Sequence, residues 1–338
     1  MQIWFPLMIL VLLVFFLTFI LKYYFVYFWQ KKTKLRSLAI KFSLCVLSLL
    51  YLFIILEIIF AAFFIQSDSY TFTTLASQRW FQKYWNPINS AGYRDYEYNW
   101  DGEKIIFILG DSFAAGHGIK NISHRFSGVL KDKLGPEWIV VTLAKNGWDT
   151  VNEYLTLVQH PKKPKKIIVS YYINDIESIA RKKGYNIPWE LLVKHPPISF
   201  AGLIIRTSFI VNWMYWNLHR GQLGEIYWDY LKHLFNNPQI WELHKQELLK
   251  FIIYAQEINA EILFIVWPYL GNIPESLEFT SKVVDFLEKQ NVKVLDLGKY
   301  YLNYDPENLI VNKLDTHPNE KVHAQVAELL YKELFLTK

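Results

Sequence analysis

Two long apolar runs at the start of the chain constrain it more than any other feature. Residues 3–21 (IWFPLMILVLLVFFLTFIL) carry no charge, and an aromatic tail extends the run to Trp29. As a helix rising 1.5 Å per residue, this stretch spans about 28 Å, close to the hydrocarbon thickness of a bilayer. Residues 42–65 repeat the pattern, with Glu57 as their one charge. A cleaved leader does not fit the first run, which has neither a basic segment before its apolar core nor a small-residue cleavage site after it. The link KKTKLR (31–36) is basic, and short basic loops stay in the cytoplasm. The sequence therefore predicts a transmembrane hairpin over 1–65. The N-terminus and everything after residue 65 then lie on the extracytoplasmic side, and the membrane is a partner through two N-terminal helices. Glu57 is expected as a protonated or headgroup-level carboxyl, because Lys22 sits at the opposite end of the hairpin.

Charge placement excludes another class. Residues 1–65 hold six Lys/Arg and one acid, so they carry the whole net charge of +5, and residues 66–338 are neutral overall. A nucleic-acid partner needs a basic stripe on the folded part, and none is expected. The single cysteine, Cys45, rules out a disulfide framework and a cysteine zinc site.

After a connector and lead-in (66–103), short apolar runs recur at 105–109, 138–143, 166–172, 261–267 and 292–297. Continuous rather than alternating apolar runs are what a parallel sheet buried on both faces requires. Helical patterns lie between them, the last over 319–335 with Asn319 placed as its cap. Such alternation predicts a doubly wound α/β domain over 104–338 with five parallel strands. A Trp-rich helical insertion, about 176–258, interrupts it. Its segment ISFAGLIIRTSFIVNWMYW (198–216) reads either as a membrane-leaning or substrate-covering cap, or as an extra helical layer with its aromatics in the core; the second is favoured. Arg206 and Asn212 argue against a third span.

Ligands of open α/β sheets bind beyond the carboxyl ends of the strands. The first strand ends in Gly110-Asp111-Ser112, the second in Lys145-Asn146-Gly147-Trp148 and the third in Ile173-Asn174-Asp175. Ser112 is placed as a nucleophile whose own N–H can meet a developing oxyanion, with Asp111 beside it in a supporting position. The Gly147 N–H and the Asn174 amide can donate to the same oxygen. Asp315-Thr316-His317-Pro318 stands before the final helix. Residues two apart in extended chain point the same way, so Asp315 can hold one nitrogen of His317 while the other takes the proton of Ser112. His323 is a fallback base expected to serve packing, and His117 is expected as a plain loop residue.

This order of Ser, Gly, Asn and Asp-x-His resembles the SGNH or GDSL hydrolase family over roughly 86–338. The lead-in Asn89-Ser90-Ala91-Gly92-Tyr93-Arg94-Asp95 is similar to the corresponding segment of its membrane-tethered bacterial members. The chain departs from the family pattern at Thr142 and Ala144, and in the single residue that separates Asp315 from His317. The resemblance implies a flavodoxin-like three-layer fold that needs no metal or other cofactor. It also implies Ser112 as nucleophile, His317 as general base and acid, Asp315 as its orienting carboxylate, and an oxyanion hole of Ser112, Gly147 and Asn174. The expected activity is a membrane-anchored extracytoplasmic serine esterase acting on an acyl ester of a glycan or lipid. One alternative is an O-acyltransferase modifying an envelope glycan, and another is a non-catalytic glycan-binding scaffold.

Overall fold

A computed structural model describes residues 4–28, 34–69, 74–100, 102, 104–185, 196–219 and 221–336. The expected basic link at 31–36 lies partly outside them, as does Trp189. The chain divides into two compact units. One comprises Met1–Gln66, Thr71–Trp80 and Val193–Gly221, and the other comprises Ser67–Tyr70, Phe81–Leu192 and Gln222–Lys338.

The first unit is helical: α1 (Trp4–Phe28), α2 (Lys34–Phe63), the start of α3 (Leu75–Tyr84), and later α8 (Phe200–Thr207) and α9 (Phe209–His219). Within α2, Ser37–Phe63 is long and apolar enough to cross a membrane by length and composition. Two such helices are expected from the sequence, and among the described residues this one alone meets the criterion; the apolar stretch described in α1, Val11–Tyr23, is shorter. Thr18 Oγ1 of α1 donates to the Val14 carbonyl (2.7 Å) and lies 2.8 Å from the hydroxyl of Tyr51 on α2.

Glu57, expected as a protonated or headgroup-level carboxyl, has partners within the chain. It is buried and accepts from the Ser208 hydroxyl and from the backbone N–H groups of Phe209 (2.9 Å) and Ile210 (3.4 Å). Those N–H groups are donors that the first turn of α9 leaves without intrahelical partners, so Glu57 caps that helix.

The second unit is built on β1 (Ile105–Gly110), β2 (Ile139–Ala144), β3 (Lys166–Tyr172), β4 (Glu261–Trp267) and β5 (Lys293–Asp296). They pair in the order β2-β1-β3-β4-β5, all parallel. Successive side chains of a strand leave opposite faces, and two cores result. Phe107, Leu109, Val141, Val169 and Phe264 pack with Leu157, Leu248, Phe251 and Phe279, which come from α6 (Thr150–Gln159), α11 (Pro238–Glu257) and α12 (Ile273–Lys289). Ile106, Ile108, Val140, Ile168 and Leu263 pack with Phe126, Leu130, Val322 and Val326 of α5 (Phe126–Leu134) and α14 (Glu320–Tyr331). Helices on both faces make this a three-layer α/β fold with a five-stranded parallel sheet. Asn319 caps α14 through the Val322 N–H.

The Trp-rich insertion is not one layer. Trp228 and Trp241, on α10 (Gly221–Asn236) and α11, pack against the first core. Trp213 and Trp216 belong instead to the unit that contains α1 and α2.

Candidate active site

Gly110 ends β1 because nothing larger fits: an added Cβ would lie 2.8 Å from the Ala114 Cβ and 2.9 Å from the Ser170 Cβ. Asp111 then caps the single turn α4 (Ser112–Ala115), accepting from the Phe113 N–H at 2.9 Å. This sharp change from strand to helix sets Ser112 beyond the carboxyl edge of the sheet. On the far side of the sequence, the two-stranded ribbon of β6 (Ile310–Asn312) and β7 (Asp315–Pro318) brings His317 to it. The Ser112 Oγ lies 2.8 Å from His317 Nε2, and His317 Nδ1 lies 2.6 Å from Asp315 Oδ1. The His317 backbone N–H also donates to that carboxylate oxygen, at 3.2 Å.

A carboxylate can only accept, so Nδ1 of His317 carries the hydrogen and Nε2 presents its lone pair to the Ser112 hydroxyl. Burial works against ionisation of Asp315. The imidazoles of His117 and His317 and the hydrogen bond from His317 outweigh it, holding the carboxyl well below its usual range. Asp111 differs. Burial pushes it up to about 6, against the Phe113 N–H and the nearby His317, and its Oδ2 lies 3.4 Å from Ser112 Oγ. Deeper still, Glu153 is fully buried with neither oxygen hydrogen-bonded among the described residues. Burial, then the charges of Asp111 and Asp149, raise it well above the carboxylate range.

Gly147 and Asn174 are the expected oxyanion donors. Gly147 follows β2 in a left-handed turn (φ 74°). Asn174 lies in the turn after β3, and its Oδ1 is buried without a hydrogen-bond partner among the described residues. His323 is elsewhere: on α14 its Nδ1 accepts from the Phe126 N–H, and burial lowers it to about 3.

His117 is not the plain loop residue the sequence suggests. It is fully buried and stacks on His317 with ring centroids 4.2 Å apart. Its Nε2 lies 2.9 Å from the Asp68 carbonyl and 3.6 Å from Asp315 Oδ2, and its Nδ1 lies 3.0 Å from the Asn146 amide nitrogen. The Asp68 carbonyl only accepts, so Nε2 carries the hydrogen and Nδ1 accepts from Asn146. Burial, then the charge of His317, drive His117 down to about 3 against the pull of Asp315, so it is neutral. Its backbone is fixed as well. Gly118 has φ 82°, and a Cβ there would stand 2.4 Å from Val311 Cγ2 and 3.1 Å from Asp315 Oδ2.

Two further groups, read in the sequence only as connector and lead-in, brace this loop and β7. Arg94 donates to the carbonyls of Gly116 (2.5 Å), Ile119 (2.5 Å) and Tyr84 (2.9 Å). Burial, then the charge of Arg125, lower Arg94 to about 9 against the pull of Asp95. Residues 67–69 lie along β7: the Ser69 N–H donates to the Leu314 carbonyl (2.9 Å), the Thr316 N–H to Ser69 Oγ (2.9 Å), and Asn312 Nδ2 to the Ser67 carbonyl (3.3 Å). A polar, aromatic connector gives no periodic signal, so only the tertiary hydrogen bonds reveal this strap.

His117, Asp315 and His317 offer ligand atoms within 4.8 Å of one another. They do not suit a metal ion. The two rings lie 18° from parallel, so their in-plane lone pairs do not converge as tetrahedral coordination needs. Each ring nitrogen already has a hydrogen-bond partner.

No protein-family profile matches the chain, and no curated protein matches it. Solved structures do. The acetyl xylan esterase AlAXEase is 13% identical with a TM-score of 0.43, over 68% of this chain and 100% of that one. TesA is 14% identical with a TM-score of 0.43, over 69% and 99%. The lipase/acylhydrolase from Enterococcus faecalis is 15% identical with a TM-score of 0.40, over 68% and 95%.

Proposed function

We propose that the protein is a serine ester hydrolase of the SGNH type, anchored in a membrane by α1 and α2 with its α/β unit on the extracytoplasmic side. Its substrate is an acyl ester carried by a glycan or a lipid. The observation that carries the reading is the continuous hydrogen-bonded line from Ser112 Oγ through His317 to Asp315, at the carboxyl edge of a parallel sheet.

In this reading Ser112 Oγ attacks the ester carbonyl carbon as His317 Nε2 takes its proton, and the carbonyl oxygen becomes an oxyanion. Asp315 stabilises the imidazolium that forms. The Ser112 N–H, the Gly147 N–H and the Asn174 amide hold the oxyanion, and one such donor contributes about 10²–10³ in turnover. His317 returns the proton to the departing alcohol, leaving an acyl-Ser112. Water, deprotonated by the same imidazole, releases the acid and restores the hydroxyl. Two antiparallel apolar helices with a basic link between them support the anchoring, as does the pairing of Thr18 with Tyr51.

A fluorophosphonate probe applied to the full chain in detergent, beside Ser112→Ala, tests the reading. The expected result is an adduct on Ser112 that the variant lacks, with ester cleavage falling about 10⁶-fold in that variant. A folded wild-type chain that takes up no probe and cleaves no ester would instead point to a glycan-binding scaffold. Products formed with and without a glycan acceptor separate hydrolysis from acyl transfer.

A further inference from the structure

The helical pair α8–α9 carries its apolar side outward. Phe200, Leu203 and Ile204 follow the i, i+3, i+4 spacing of one helix face, yet that face is exposed, with Phe200 at 78%. Ile198, Met214 and Leu218 are exposed too, Leu218 at 79%. A helix covering a water-soluble domain turns this stripe inward, and soluble surfaces seldom expose contiguous apolar patches of such residues.

Three observations say what covers it. The pair belongs to the same compact unit as α1 and α2 and is fixed to α2. Glu57 caps α9, Trp213 packs edge-on against Phe60 and Phe64 (6.2 Å each), and Phe209 shares a small core with Ala61. The candidate span to which the pair is fixed exposes apolar side chains of its own, such as Ile55, Ile59 and Phe63. Charge is nearly absent from 198–218: Arg206 is the one ionic residue, and its guanidinium turns back onto the Pro196 and Pro197 carbonyls at 3.1 Å each. Trp213 and Tyr215, both partly exposed, supply amphipathic rings of the kind enriched at the membrane–water interface.

We propose that α8–α9 is an interfacial membrane-binding hairpin. Its Ile198–Leu218 face lies in the lipid headgroup and upper acyl region, and Glu57 locks it to α2. The inference rests on the proposed membrane anchoring by α1 and α2. An apolar face of this kind buries about 5–10 Å into the headgroup–acyl boundary.

The test is fluorescence quenching of the full chain in phosphatidylcholine vesicles, with an environment-sensitive dye on one cysteine at a time. Cys45, exposed on α2, is the reference for the anchoring. In a Cys45→Ser background the dye is moved to Ile198→Cys, Phe200→Cys, Leu218→Cys, or to Lys289→Cys on α12 as an aqueous control. The proposal expects lipid-borne nitroxides to quench the dye at 198, 200 and 218, most strongly when the nitroxide lies near the headgroup, with aqueous iodide quenching only at 289. If Cys45 is lipid-quenched but 198, 200 and 218 respond only to iodide, the hairpin proposal is wrong and the anchoring stands. If Cys45 itself is not lipid-quenched, the anchoring fails first. Shielding of the three positions from both quenchers that disappears on dilution would assign the face to a second copy of the chain, and also overturns the proposal.

Discussion

Asp315→Asn tests whether the geometry around His317 supports the proposed chemistry. The substitution is nearly isosteric, so the fold should persist, but neither orientation of the new amide fits. If its oxygen stays where Oδ1 is, it keeps the hydrogen bonds from the His317 backbone N–H (3.2 Å) and Nδ1 (2.6 Å). The amide nitrogen then faces the N–H of His117 Nε2, 3.6 Å away. If the amide flips, its nitrogen confronts the His317 N–H and drives the ring hydrogen from Nδ1 to Nε2, where it can no longer accept from Ser112. Both arrangements also remove the negative charge that stabilises the imidazolium. Where an orienting aspartate of this kind is neutralised, turnover falls about 10⁴-fold, equivalent to about 5.5 kcal/mol. The assay is p-nitrophenyl acetate hydrolysis with fluorophosphonate labelling rates, and a circular dichroism melt confirms the fold. A folded Asp315→Asn protein within tenfold of wild-type turnover would refute the assignment of Asp315 as the orienting carboxylate.

Other outcomes follow from the same structure. His117→Leu removes the hydrogen bonds of the buried imidazole with the Asn146 amide and the Asp68 carbonyl, at about 0.5–1.5 kcal/mol for each bond. The melting temperature should fall, and turnover should fall more than KM rises, because the stacked support of His317 is lost; His117→Gln should recover part of both. Glu153 has a raised folded pKa, so its contribution to stability is fully present below its unfolded value of 4.5 and is lost as pH rises. Glu153→Gln should therefore stabilise the protein at pH 8 and change little at pH 4. The gap between variant and wild type should widen by about 1.4 kcal/mol per pH unit across the titration, and pH-resolved denaturant melts read it. Glu57→Leu leaves the Ser208 hydroxyl and the first N–H groups of α9 without their acceptor. It should lower the melting temperature in detergent, and Glu57→Gln, which keeps an acceptor oxygen, should fall between it and wild type.

Local and sequential signals carried much of this architecture. Continuous apolar runs fix the five strands to within a residue or two, because a strand buried on both faces is apolar along most of its length and the run itself reports it. The meeting of Ser112 with His317 was legible for a related reason: one follows a strand and the other precedes a helix, and topology sends those junctions to one edge. The Asp–His pairing needed only the alternation of extended chain. The apolar runs at the N-terminus were equally plain, although α2 alone has the length and composition of a span among the described residues.

Tertiary structure decided what depends on groups far apart in the chain. Nothing near His117 in sequence announces that Asp68, Asn146 and Asp315 meet it, since their separations of up to 198 residues carry no periodic signal. Residues 67–69 looked like a linker because the groups they bond, Asn312, Leu314 and Thr316, lie some 245 residues away. Glu57 read as a stray charge in an apolar helix until the N-terminus of α9, some 150 residues later, supplied its donors. The apolar face of α8 is the clearest case: its spacing gives an amphipathic helix, but spacing says only which residues share a side. Whether that side meets a core or a solvent is settled by where the rest of the chain is packed, and here the chain leaves it outward beside α2.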